Sequence, residues 1–130
     1  MASWLNLVAP LVIAVIAPST APPEFCGITG DSAREIAANV LKSRRYRKST
    51  SNTRYVVYFD KATMMTLTVT TEANKAHPAA ICRHYYQANG SWRVSTEVKC
   101  TADQSICKAM RAAIAAVDGQ TKLKFEKRIP

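Results

Sequence analysis

The residues with the greatest chemical potential in this chain form a dense cationic run with tyrosines threaded through it. Lys42, Arg44, Arg45, Arg47 and Lys48 fall within seven residues, Arg54 follows shortly after, and Tyr46 and Tyr55 interleave with them. Cations at this density neutralise phosphates, and tyrosine rings stack on bases, which would suit a nucleic acid. The competing expectation is a solvated or protein-facing helix end, where Lys and Arg complement the negative end of the helix dipole.

Acid–base chemistry is harder to assemble. His77 stands before Pro78 in a loop segment, and His84 reaches Glu97 only diagonally across neighbouring strands. A general acid–base pair needs two groups aimed at one proton-transfer site, and neither histidine has such a partner. Glu72, Glu97 and Arg83 could line a cleft on a sheet. Arg83 is the most unusual of them, because its strand places it on an apolar face, where it must find a partner or reach water. No Ser/His/Asp order, phosphate-cradling glycine loop or metal-ligand cluster can be built. Neither a catalytic residue, a metal nor a cofactor is therefore expected. Tyr55, Tyr58, Phe59, Tyr85, Tyr86 and Trp92 follow strand periodicity and read as cross-strand packing.

The elements that must position these residues are legible from periodicity. In "GDSAREIAANVLKSRR", Ser32 and Glu35 have capping-box spacing, and Ala33, Ile36, Ala37, Val40 and Leu41 form an apolar stripe, predicting an amphipathic helix of about three turns. The polar run "KSTSN" ends it. "RYVVYF" and "TMMTLTVTT", joined by "DKAT", predict a hairpin. "AAICRHYYQ" and "SWRVSTEVKC" flank Asn89-Gly90, which predicts a second hairpin with Tyr86 opposite Arg93, His84 opposite Ser95 and Cys82 opposite Glu97. Ile81, Arg83, Tyr85, Trp92, Val94, Val98 and Cys100 then share what reads as the core face. "TADQSICKAMRAAIAAVDG" predicts a second helix, with Thr101 and Gln104 at its start and Gly119 as its stop. The tail "TKLKFEKRI" alternates Leu123 and Phe125 with lysines, as an edge strand would. The expected class is α+β: a helix followed by a four-stranded antiparallel sheet, a C-terminal helix and a candidate fifth edge strand.

The chain of 130 residues carries a formal charge of +9 and four cysteines. An apolar segment from Leu7 to Ala17, followed by small residues and prolines, reads as a secretory signal cleaved after Ser19, although no Lys or Arg precedes Arg34. Residues 20–130 would then form one secreted domain holding all of the charge. Four cysteines in a short exported chain predict two disulfides. Cys82 and Cys100 fall on opposite faces of one hairpin, leaving Cys26–Cys82 with Cys100–Cys107, or Cys26–Cys100 with Cys82–Cys107. The first is favoured, because a strand end and the following helix turn are adjacent. Asn89-Gly90-Ser91 is also an N-glycosylation sequon at a hairpin tip.

An early Cys, a helix, a basic loop leading into "RYVVYF", and hairpin strands containing "YYQANGSWRVSTEVKC" resemble the small secreted fungal ribonucleases. The resemblance extends over about residues 25–101 and is stronger still to the ribonuclease-like effectors secreted by powdery mildews and related plant pathogens. Catalytic members of that family carry a Tyr and, two positions on, a His, then Glu, Arg and a second His on later strands. Tyr55 matches the Tyr, but Val57 stands where the first His would be. Glu72 and either Arg83 or Arg93 could serve as Glu and Arg, and no His follows His84. The resemblance therefore implies a ribonuclease scaffold without ribonuclease chemistry: a virulence effector binding host protein or RNA. The domain is expected to be a monomer with no stable membrane association after signal cleavage. It also implies pairing of Cys26 with Cys100 or Cys107. The runner-up expectation is a bacterial periplasmic or exported binding or inhibitor domain for an acidic partner.

Overall fold

The computed structural model describes residues 8–16 and 21–128, with 120–128 described as backbone only. The fold is α+β. A short antiparallel pair, β1 (Glu24–Phe25) and β2 (Ile28–Thr29), precedes helix α1 (Ala33–Val40). Five antiparallel strands follow in meander order: β3 (Arg47–Ser51), β4 (Tyr55–Asp60), β5 (Met65–Thr70), β6 (Ala79–Ala88) and β7 (Ser91–Cys100). Helix α2 (Gln104–Arg128) closes the chain.

Helix α1 forms for the reasons its sequence suggests. The Ser32 hydroxyl accepts from the Glu35 amide at 3.1 Å, and the Glu35 carboxylate accepts from the Asp31 amide at 2.8 Å. Its buried face is Ala33, Ile36 and Val40. The helix is shorter than expected, since Leu41 caps it and is exposed. Ala33, Ile36 and Val40 pack with Leu67, Val69, Ala80 and Cys82 of the sheet and with Phe25 and Ile28 of the first strand pair.

The second hairpin has the expected register, with Cys82 opposite Glu97, His84 opposite Ser95 and Tyr86 opposite Arg93. Asn89 and Gly90 both take positive φ at its turn, which is the twist a two-residue hairpin favours. The face assignment needs correction. The main core lies against α1 on the Ala80 and Cys82 face, whereas Ile81, Arg83, Tyr85 and Val94 point to the other face, which α2 only partly covers. Both faces carry apolar residues, so alternation alone could not rank them.

Two further elements depart from expectation. The polar segment Arg47–Ser51 is not a loop but the edge strand of the sheet, exposed along its whole length. A strand with no buried face has no apolar alternation to reveal it. The expected edge strand at Leu123 and Phe125 is instead helix, because α2 continues through Gly119 to Arg128. A mid-helix glycine costs only about 1 kcal/mol, and the surrounding residues favour helix. Its first helical residue is Gln104, so Thr101 is not the cap.

The disulfides are Cys26–Cys82 and Cys100–Cys107. The pairing favoured on hairpin geometry therefore holds, and the pairing implied by the family resemblance does not. Residues 8–16 have neither helix nor strand and expose Val8, Leu11, Val12, Ile13, Val15 and Ile16. The expected cleavage point after Ser19 lies outside the described residues. No helix among the described residues is long and apolar enough to cross a membrane.

Candidate functional site

The cationic run does not converge on one place. Strand β4 separates it into two groups at opposite ends, roughly 17 Å apart at about 3.3 Å per residue. At the Asp60 end, Lys42 and Arg44 are exposed in the segment after α1. Arg45 is committed to structure: its Nε and Nη2 donate to Asp60 Oδ2 at 3.1 and 3.0 Å. Asp60 is buried, and also accepts from the Thr63 hydroxyl at 2.7 Å and the Ala62 amide at 3.1 Å. The Thr63 hydrogen bond, with those of Arg45 and Ala62, holds its carboxyl below the usual range against the opposing effect of burial. Gly27 permits the close approach of Arg45, since a Cβ there would stand 2.9 Å from the guanidinium.

Tyr46 is likewise structural. Its hydroxyl donates to the Cys26 carbonyl at 2.6 Å, and burial pushes its pKa up to about 12, with Asp60 adding to and Arg45 opposing the shift. Tyr46 is thus not a stacking platform. Arg47 and Lys48 lie on the exposed edge strand, opposite Phe59 and Tyr58 respectively, and so project to different faces.

The other end of β4 brings together residues that are distant in sequence. Asn52 Oδ1 accepts from the amides of Arg54 and Tyr55 at 2.8 and 3.0 Å, forming the turn between β3 and β4. The loop after β5 is clamped to that turn, with the Thr71 amide donating to the Arg54 carbonyl at 2.9 Å and Asn74 Nδ2 to the same oxygen at 3.3 Å. This clamp places Lys75 beside Arg54. A shallow depression of about 400 Å³ is lined by Arg54, Tyr55, Ala73, Asn74 and Lys75. Lys75 is a member that sequence reasoning missed, because nothing in "EANKAHP" signals that it folds back onto the turn.

Tyr55 also borders a second cavity of about 470 Å³ on the sheet face, lined by Val57, Thr66, Thr68, Ile81, Arg83, Tyr85, Val94, Val117 and Asp118. No family model, curated protein or solved structure matches the chain. The chemistry must therefore be read from the site itself. Tyr55, Val57 and Arg83 share this cleft, and Val57 lies opposite Thr68 on β5. Glu72 is exposed in the loop beyond β5, and Arg93 faces Tyr86 on the other side of the sheet, so neither joins them.

Neither histidine borders the cleft. His77 Nδ1 lies 2.9 Å from the Thr70 hydroxyl and 3.1 Å from its carbonyl, an arrangement that holds the loop. His84 is exposed on the opposite face, its ring 5.6 Å from that of Tyr86. Glu97 lies across from Cys82 on that same face. Among the described residues, no group of three or more His, Cys, Asp or Glu could hold a metal ion.

Arg83, expected to reach water, is instead largely buried and paired. Its Nε donates to Asp118 Oδ1 at 3.0 Å, and the Thr96 hydroxyl donates to Asp118 Oδ2 at 2.6 Å. The signal was available, because Asp118 stands one turn beyond Ile114 on the apolar stripe of α2. Two opposite charges, each misplaced on an apolar face, are natural partners.

Proposed function

We propose that this chain is a secreted, non-catalytic domain of ribonuclease-like type that acts as a virulence effector by binding single-stranded RNA. One observation carries the reading: Tyr55, 38% exposed, borders both the depression formed by Arg54 and Lys75 and the cleft on the sheet face. An exposed aromatic ring beside two cations is the arrangement that stacks a base while neutralising the adjacent phosphates. The net charge of +9 draws an anionic polymer toward the protein. Support for binding without cleavage is that both histidines lie outside the cleft and that Val57 stands two positions after Tyr55, where the ribonuclease pattern has its first His.

Two disulfides support an oxidising compartment and hence export. Asn89 projects from an exposed hairpin tip, so its sequon is accessible in a pathway that glycosylates. The exposed edge of β3, with Arg47 and Lys48, favours as a second reading an acidic protein partner, either a host protein or the target of an exported inhibitor domain.

Affinity for a short single-stranded oligoribonucleotide, measured across a salt series, tests the reading. The expected result is a log–log slope of about −1 to −2, reflecting two or so phosphate contacts at roughly 0.7 each. Undetectable RNA binding at low salt would sink the RNA reading and leave the protein partner.

A further inference from the structure

We propose that α2 is a self-blocking latch, with the Asp118 carboxylate occupying, from within the chain, an anion position on Arg83. Among the residues lining the cleft, Arg83 is the one cation. Its guanidinium faces Asp118 Oδ1 at 3.0 Å, and Thr96 fixes the second carboxylate oxygen at 2.6 Å. Guanidinium binds carboxylate and phosphate by the same charge-assisted hydrogen bonds. A phosphate that approaches the Nε edge of the guanidinium competes with Asp118 for that donor.

The way α2 is attached suits it to that competition. The Cys100–Cys107 bridge fixes its first turn to the end of β7. Cys107 and Ile114 are its buried side chains among those described, while Ala112, Ala113, Ala115 and Ala116 are exposed. Among the residues 115–119, whose side chains are described, none is buried, and the Asp118 contacts hold that part over the cleft. Both partners of the ion pair retain only 18% side-chain exposure, so the cost of desolvating them offsets much of their Coulombic attraction. An anion that binds the open form shifts the population by its differential affinity. The latch rests on the reading of the Tyr55 surface as an RNA-binding site only for the identity of its natural ligand.

The test is Asp118→Asn, which keeps an acceptor for Thr96 and removes the charge facing Arg83, with Thr96→Val weakening the same contact from the sheet side. Two readouts are needed: amide hydrogen exchange over residues 112–119, and affinity for a short single-stranded oligoribonucleotide. Both variants should exchange faster in that segment without ligand, and Asp118→Asn should bind RNA about fivefold more tightly or better. Adding Arg83→Met should abolish the gain. Unchanged exchange in both variants would overturn the latch, as would faster exchange accompanied by unchanged or weaker RNA binding. If neither wild type nor variant binds RNA, the RNA reading fails and inorganic pyrophosphate decides the latch. Faster exchange of wild-type residues 112–119 in its presence supports the latch, and no change overturns it.

Discussion

Arg45 and Asp60 form a bidentate-donor contact, Nε and Nη2 to one carboxylate oxygen, that ties the segment after α1 to the end of β4. The densest stretch of positive charge is therefore anchored through one of its own arginines. Asp60 is the buried member, while the Arg45 side chain keeps 48% exposure. Removing the buried acid leaves Thr63 and Ala62 without an acceptor, whereas removing Arg45 leaves two of the carboxylate's partners in place. Asp60→Ala should destabilise the protein by about 2–3 kcal/mol and Arg45→Ala by less, as read by denaturant unfolding.

Asp60 also sets an acid limit. Its folded pKa is lowered, so its contribution is present above the unfolded value of about 3.9 and is lost as pH falls through the folded value. The stability gap between wild type and Asp60→Asn should be constant near neutrality and shrink below about pH 4. A gap independent of pH down to acid unfolding would refute this account of the carboxylate.

At alkaline pH the sensitive group is Tyr46. Its pKa is raised to about 12, so its contribution is complete below the unfolded value of about 10 and is lost between there and about 12. Tyrosinate absorbance of the native protein should contain a late-titrating component, and Tyr46→Phe should remove it.

The two disulfides should differ in weight. Cys26–Cys82 closes a separation of 56 residues and Cys100–Cys107 one of 7. Loop-closure entropy then gives about 4 kcal/mol for the first and about 2 kcal/mol for the second. Paired Cys→Ala replacements compared by denaturant unfolding check the order. The first pair also joins the N-terminal strand pair to the sheet, so its loss should disturb the packing of Phe25 and Ile28.

Ribonuclease activity should not be introduced by one substitution. Val57→His would place an imidazole in the cleft beside Tyr55, but no second histidine borders it. The variant should leave oligoribonucleotides intact over prolonged incubation, because the new imidazole gains no second histidine as its acid–base partner and the Asp118 carboxylate is already engaged by Arg83 and Thr96. Cleavage by Val57→His would show that another cleft residue supplies the second proton.

Where one periodic signal dominated, the sequence was a sound guide. The Ser32 cap, the Asn89-Gly90 turn and the register that follows from it are local chemistry, and the hairpin's pairing puts Cys82 and Cys100 on opposite faces, out of reach of one another. What stayed hidden depends on contacts made across the fold. Arg47–Ser51 is a strand only because β4 offers its edge. Arg45 reads as a surface cation until Asp60 is seen beside it. Lys75 joins Arg54 only through the clamp of Thr71 and Asn74 on the turn. Periodicity does not distinguish the core face, because α1 covers one side of the sheet and α2 part of the other.

The central claim is that the Tyr55 end of β4, and not the Arg44 end, meets RNA. The most direct measurement compares oligoribonucleotide affinity for Arg54→Ala/Lys75→Ala with that for Lys42→Ala/Arg44→Ala at one moderate salt concentration. The two double variants lose the same net charge, so long-range attraction falls equally in both. The first should lose about tenfold or more in affinity and the second no more than about threefold, because phosphate contact adds to the long-range term only where the cations touch the strand. Equal losses, or a larger loss for Lys42→Ala/Arg44→Ala, would contradict the account.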